Sequence, residues 1–403
     1  MWNRTTRGLM LGTALAGFGG WIDFLAILTL AAYVYQASAS LMALISAIFV
    51  LPSMLLGPRI GRWLDRSRPL PILLAALGLR TLSTGLLLLQ APVALFCGLL
   101  VLRALFNTPT ESAANLLVAR VVKTEDVPRY FSMLGVLRNA SKIAAPVIGS
   151  TLASRFGEAS ALSASILLSL IALALLAAAF RGQAAIGPGT PKPVREAPVP
   201  ASGAPVDENR DLLRTLLGTV TVFSFMVFLI NNQLPVLLHK AGFDKALLGL
   251  LVSCSGAGGI LAAAWLARRK RAAQAGPDPL RLTLFASGLV AVCFIGLGFA
   301  FRLPPALAPW FAGLLFFCTG LCASVQTIQS SVVVVQRFPQ GVALASARMQ
   351  AFQSGAMLIA PWVAALLIPH LSVSALFLLD GSVALLALLG VATWVGRRCA
   401  PVR

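Results

Sequence analysis

Charge is scarce in this chain, and acidic charge most of all: 13 Asp and Glu stand against 32 Lys and Arg among 403 residues, and charged residues make up only 11%. A soluble domain carries about 25% charged residues, so a water-soluble enzyme is excluded. Histidine occurs only as His239 and His370, at the ends of apolar stretches. No His-Glu-x-x-His, Gly-x-Ser-x-Gly or Gly-x-x-x-x-Gly-Lys-Ser/Thr pattern is present, which argues against a membrane hydrolase and against ATP hydrolysis within the chain. Cysteine is sparse too. Cys97, Cys254, Cys293, Cys318 and Cys322 lie in apolar stretches and only Cys399 lies near a terminus, so no disulfide framework is indicated. Cys318 and Cys322 share a helix face but have no third ligand, so neither a metal site nor any cofactor is expected.

What the chain has in abundance is apolar length and positive charge. Hydrophobic residues make up 58%, the formal charge is +19 and the pI about 11.2. In a soluble chain that charge would suggest nucleic acid. Here the cations sit in short segments between apolar stretches, with no aromatic-interleaved basic stripe, so nucleic acid is not an expected partner.

A helix crosses the roughly 30 Å hydrocarbon layer with about 20 residues. Apolar stretches of about that length run over 9–35, 40–57, 70–90, 92–118, 131–153, 159–180, 212–237, 246–266, 281–301, 307–333, 345–369 and 372–395. The first is not a secretion signal, despite Arg4, Arg7 and Ala37-Ser38-Ala39. Leu9 to Tyr35 outruns an h-region of about 7–15 residues and carries Asp23. The expected fold is an all-α membrane protein of twelve transmembrane helices in two six-helix bundles.

Counted on alternate sides, the loop cations fall overwhelmingly on one side, with only Arg155, Lys240, Lys245 and Arg302 on the other. By the positive-inside rule both termini are expected in the cytoplasm. Arg181 to Asp211 is polar and contains Pro188, Pro191, Pro193, Pro198, Pro200 and Pro205, and reads as a linker. The expected organisation is therefore a bundle over 1–180, a cytoplasmic linker over 181–211 and a second bundle over 212–403. The halves echo one another. Trp63-Leu64-Asp65-Arg66 matches Trp265-Leu266-Ala267-Arg268, and Ala145-Pro146 matches Ala360-Pro361. Parallel six-helix repeats suit a carrier whose two bundles rock about a central site.

The stretch Gly61-Arg62-Trp63-Leu64-Asp65-Arg66-Ser67-Arg68 resembles the loop signature of the major facilitator superfamily, Gly-x-x-x-Asp-Arg followed by basic residues, and it falls between spans two and three, as it does in that family. Read from the residues alone, Gly61 permits close helix approach, and Asp65 beside Arg66 can pair across a gate, sit at a helix N-terminus or belong to a solvated charge run. The resemblance implies that Asp65 and Arg66 latch a cytoplasmic gate against the start of span eleven. Arg103 resembles the family's span-four Arg motif in proton-coupled members, with Asn107 where Gly is usual. Pro146-Val147-Ile148-Gly149 resembles the end of the antiporter motif, most of whose preceding glycines are absent here. Pro109 to Asn115, Val122 to Pro128 and Arg138-Asn139 are similar to the exporter branch that contains macrolide pumps and the enterobactin exporter. On this resemblance Gly61, Asp65, Arg66, Pro146 and Gly149 are expected to gate, and spans one, four, seven and ten to line a cavity.

An ionised side chain at the bilayer centre costs at least about 2.5–3.5 kcal/mol and needs a partner, water or neutralisation. Asp23 lies roughly 18 Å from the cytoplasmic edge at 1.5 Å per residue, and Arg103 roughly 15 Å from the other edge. Both fall near the midplane, and the resemblance, by which spans one and four line one cavity, implies that they face one another or a shared water pocket, as a proton switch or as a fixed structural pair. Arg103, Asn107, Glu111 and Asn115 recur every fourth residue along one face of span four. Pro109 is expected to interrupt that helix, and Glu111 is a second candidate proton carrier. Arg138 and Lys142 repel one another unless an anion or a carboxylate, Glu111 or Asp23, lies between them. Asn107, Arg138, Lys142, Asn231, Asn232, Gln233, Gln326 and Gln329 are the candidate substrate contacts, with interhelical hydrogen bonding as the alternative use. Asp380 and Arg348 are expected to be structurally paired.

The reading is a secondary transporter of the inner membrane, not an enzyme, monomeric and surrounded by lipid. It is expected to exchange protons for a small organic molecule, a siderophore, another polar or anionic metabolite, or a drug, with the direction taken from the resemblance. An importer or facilitator, or a non-transporting sensor or scaffold, are the alternatives.

Overall fold

The structure, a computed structural model, describes residues 3–36, 39–89, 92–181, 206–231, 233–241, 245–268, 278–304 and 306–398. Every regular element among them is helical. Twelve helices are long: α1 (Arg4–Thr29), α2 (Ala39–Asp65), α3 (Pro69–Leu87), α4 (Val93–Val121), α5 (Val127–Phe156), α6 (Glu158–Ala179), α7 (Val206–Asn231), α9 (Lys245–Arg268), α10 (Pro279–Ala300), α11 (Ala308–Arg337), α12 (Val342–Leu367) and α13 (Val373–Arg398). The short α8 (Leu234–Lys240) lies between α7 and α9.

Eleven of the twelve contain an apolar window long enough to cross a bilayer. The remaining one is α5, which carries Arg129, Arg138, Lys142 and Arg155. Helix starts follow local chemistry. The Asn3 side chain accepts the Thr6 N–H at 2.8 Å to cap α1, and Pro69 opens α3, where a missing N–H costs nothing. Of the stretch read as a linker, 182–205 lies outside the described residues, and α7 begins at Val206.

Two expectations about helix continuity are corrected. α4 runs unbroken through Pro109. The lost N–H leaves one helical bond unmade, but the sixteen helical residues before Pro109 and the twelve after it keep the helix axis going. Span seven, in contrast, does break. α7 ends at Asn231, Gln233 lies in a turn and α8 starts at Leu234, so Pro235 takes the first turn of α8, where proline is tolerated.

The chain divides into two compact units, one comprising 1–130, 137–196 and 334–351, the other 131–136, 197–333 and 352–403. In the first unit α1 packs along α6, α3 against α4 and α6, and α2 against α4. Gly8 lets α1 and α6 touch, since a Cβ there would lie 2.2 Å from the Ala179 Cβ. Ile22, Ile27, Leu87, Phe96, Leu100 and Leu162 form the core at one end. In the second unit α10 packs along α13, and α7 against α13 and α10. Its core centres on Phe294 and Phe377, whose rings lie 5.8 Å apart. The α3–α6 and α10–α13 contacts occupy equivalent places in the two six-helix series, as do α1–α6 and α7–α13. The matching Trp-Leu-x-Arg sequences fall at the C-terminal ends of α2 and α9, the pattern of a parallel repeat.

Candidate functional site

Within the first unit, α1 carries Asp23 and α4 carries Arg103 to the same depth, and they meet. Arg103 donates to the Asp23 Oδ2 through Nε at 2.9 Å and through Nη2. The Thr84 hydroxyl of α3 donates to the same oxygen at 3.3 Å. The other oxygen, Oδ1, is buried and has no hydrogen-bond partner among the described residues. Arg103 also lies over the Phe49 ring of α2, 5.3 Å from its centroid, a contact that favours a cation. Asp23 and Arg103 are 3% and 5% exposed.

A second guanidinium shares this site. Arg80 of α3, 6% exposed, donates to the Asn107 Oδ1 at 3.1 Å, the Ala16 carbonyl at 3.3 Å and the Ser169 hydroxyl at 3.4 Å. It is close enough to feel both the Asp23 and the Arg103 charge. The cluster therefore holds two cations and one carboxylate, a net positive charge in a low-dielectric interior. Sequence reasoning missed Arg80 as a site residue. The available signal was a lone cation in the middle of span three.

Further along α4 the remaining stripe residues each find a partner on another helix. Glu111 accepts from Arg138 of α5 at 3.3 Å and from the Gln350 amide of α12 at 2.6 Å. The buried Asn115 donates to the Ser346 hydroxyl of α12 at 3.1 Å. Ser346 and Gln350 belong to 334–351 and hence to the same unit. Arg138 and Glu111 are more than a third exposed, so their ion pair is screened and weak. Lys142, one turn beyond Arg138, is exposed and forms no ion pair among the described residues.

At the end of α2 the Asp65 carboxylate accepts the Ala343 N–H at 2.8 Å and the Leu344 N–H at 3.0 Å, capping the N-terminus of α12. Its negative charge meets the positive end of the helix dipole. Gly61 permits the approach, because a Cβ there would lie 2.6 Å from the Ala347 Cβ and 2.7 Å from the Ala343 carbonyl. The cation attending this corner is Arg120, which donates to the Asp65 and Ser67 carbonyls at 3.4 Å each. Arg66, expected to share the latch, is exposed and forms no side-chain bond among the described residues.

Other candidates sit differently from expectation. Asn231 and Gln233 lie at the α7–α8 break, not within a span, and Asn232 lies outside the described residues. Gln326 is buried and engaged on its own helix, donating to Ser330 at 3.2 Å and accepting from Thr327 at 3.3 Å. Gln329 is likewise buried. Pro146 lies in α5. Gly149 is not sterically required, since a Cβ there would stand 3.9 Å from the Ile22 Cγ2. The expected pairing of Asp380 is overturned: its Oδ2 is buried without a partner among the described residues. Arg348 likewise forms no ion pair there.

Twelve long helices in a twofold series, eleven of them long and apolar enough to cross a bilayer, with charged side chains buried between them, define the class of polytopic membrane proteins. The chain belongs to the Major Facilitator Superfamily, whose sequence profile matches residues 9–319. It is 28% identical over 277 residues to the "Uncharacterized MFS-type transporter YfiS" of Bacillus subtilis (strain 168); the match covers 66% of this chain and 65% of that protein's length. Among solved structures, a bacterial homologue of the iron transporter ferroportin in an outward-facing state matches with a TM-score of 0.76 at 15% identity, covering 98% of this chain and 100% of that one. The human organic anion transporter MFSD10 matches with a TM-score of 0.71 at 17% identity, covering 96% and 99%. The curated relative is itself described as a transporter, and the match spans less than two thirds of its length.

Proposed function

We propose that this chain is an alternating-access secondary transporter of the bacterial inner membrane that exports a small polar or anionic metabolite, of the siderophore kind, in exchange for protons. The observation that carries this reading is the Asp23 carboxylate, which concentrates three donors on Oδ2 and leaves Oδ1 buried with no partner among the described residues. A proton arriving at Oδ1 removes the countercharge of Arg103 and leaves two guanidinium groups facing each other. Relief of that repulsion biases the unit toward another arrangement, and an anionic cargo supplies the missing charge. Arg80, Arg103, Arg138 and Lys142 outnumber Asp23 and Glu111 within the helices of the first unit, which favours an anion. One proton moving down about 100 mV releases roughly 2.3 kcal/mol, enough for a roughly 50-fold solute gradient.

On this reading Asp65 and Gly61, with Arg120 in the place expected for Arg66, hold the start of α12 on the cytoplasmic side, where the Arg-rich loops lie. The exposed Lys142 and the half-exposed Arg138 are the proposed first contacts for cargo, and both termini are cytoplasmic. The test compares metabolites in cells and medium with and without this chain, then measures flux of the accumulating solute in proteoliposomes under an imposed pH gradient. Export that collapses with the gradient and is lost in Asp23→Asn supports the proposal. Gradient-driven export that persists unchanged in Asp23→Asn refutes it.

A further inference from the structure

The second unit contains a site that the proton and cargo reading leaves unused. A cavity of about 350 Å³ lies among α7, α12 and α13, walled by apolar side chains that include Phe225, Met226, Val363 and Leu376. Two lining residues are polar. The Thr221 hydroxyl is already committed to the Leu217 carbonyl, to which it donates at 2.6 Å. The other is Asp380 of α13, 7% exposed, whose Oδ2 has no hydrogen-bond partner among the described residues. No Lys, Arg or His lines the cavity.

We propose that this cavity binds a lipophilic organic cation, with the Asp380 carboxylate as its counter-ion and the Phe225 ring among its apolar contacts. A buried carboxylate with no donor is costly in a low-dielectric setting until a positive charge meets it. A proton would meet the charge but would occupy none of the volume, which falls in the range of small-molecule pockets. A neutral apolar molecule would fill the volume but leave the carboxylate unmet. A cation whose charge is shielded by hydrocarbon satisfies both, and an aromatic ring in the wall adds cation–π attraction. The site stands apart from the Asp23 cluster, which lies in the other unit, so it does not depend on the proposed coupling.

The probe is tetraphenylphosphonium, measured by equilibrium dialysis against the purified full-length chain in detergent, so that no transport is needed. Saturable binding is expected, weakened at least about tenfold in Asp380→Asn and largely retained in Asp380→Glu. Ala387→Trp, which fills the cavity from α13 and leaves the carboxyl in place, is expected to abolish binding. Thermal melting of each variant confirms that it is folded. Equal binding by Asp380→Asn and the original chain, or unaltered binding by Ala387→Trp, overturns the proposal and leaves the cavity as space for lipid chains. Absence of saturable binding to the original chain overturns it as well.

Discussion

The buried charges of α1, α3 and α4 make an asymmetric prediction about stability. Replacing Asp23 by Asn keeps the side-chain volume but leaves Arg80 and Arg103 without a carboxylate, whereas replacing Arg103 by Met leaves Asp23 still within the field of Arg80 and still bonded to Thr84. Breaking a buried pair by removing one partner costs about 3–5 kcal/mol. At roughly 2–4 °C per kcal/mol for a unit of 150–250 residues, Asp23→Asn is expected to lower Tm by about 6–20 °C, and Arg103→Met by less. The double variant removes the pair together, and Arg80 retains its neutral acceptors on Asn107, Ala16 and Ser169. Its loss is therefore expected to be smaller than that of Asp23→Asn alone. The assay is thermal unfolding of the purified chain in detergent, read as a double-mutant cycle with a coupling of at least about 2 kcal/mol, within the range found for groups in direct contact. Additive shifts, or a milder effect from Asp23→Asn than from Arg103→Met, would refute the electrostatic account of the cluster.

Three further outcomes follow from the first unit. Gly61→Ala places a methyl group 2.6 Å from the Ala347 Cβ and 2.7 Å from a backbone carbonyl, so Tm should fall by the equivalent of about 1–3 kcal/mol; Gly78→Ala, with nothing within 4 Å of the new Cβ, should leave Tm unchanged or raise it, since Ala is the better helix former by about 1 kcal/mol. Asp65→Ala removes both acceptors from the start of α12 and should cost about 1–2 kcal/mol by melting, while Asp65→Asn, which keeps one acceptor oxygen but sets an NH2 against the other N–H, should recover only part of that. Glu111→Gln keeps an acceptor for Gln350 and loses only a solvent-screened ion pair, so its melting should change by less than about 1 kcal/mol, while its proton-driven flux in proteoliposomes falls if Glu111 carries protons.

Depth along a helix put Asp23 and Arg103 at one height in the reading of the sequence, because a fixed rise per residue converts position in a span into height in the bilayer, and the family resemblance, which sets spans one and four around a shared cavity, brought them face to face. The stripe on α4 was legible for a similar reason, as four polar residues at fourfold spacing have to share a face. Their partners were not legible. Ser346 and Gln350 lie more than two hundred residues away, and no local pattern distinguishes them from other small or polar residues of α12. Arg120 was read as a loop cation, although it closes the corner at Asp65. The break after Asn231 was hidden because the apolar run continues through Leu234 to Leu238, and hydropathy cannot separate one long helix from two collinear apolar pieces. For Asp380 the general rule that buried charges are paired gave the wrong expectation, because it takes no account of an empty volume beside the carboxyl.

The continuity of α4 through Pro109 gives the polar stripe a consequence that a broken helix would lack. Arg103 is held by α1, Asn107 by α3, Glu111 by α5 and α12, and Asn115 by α12, all from one rigid element. The α12 partners Ser346 and Gln350 follow directly from the turn whose N–H groups Asp65 caps. A change at Asp23 that shifts or rotates α4 therefore acts on bonds to the first three turns of α12, and through them on the Asp65 corner. The bonds between are short neutral or screened contacts, each worth about 1 kcal/mol, weak enough to exchange one at a time. The Asp23 cluster, several times stronger at about 3–5 kcal/mol, and the Asp65 cap, at about 1–2 kcal/mol, stand at the two ends of this ladder, so the arrangement of α4 is set chiefly by the Asp23 end while the weaker rungs adjust.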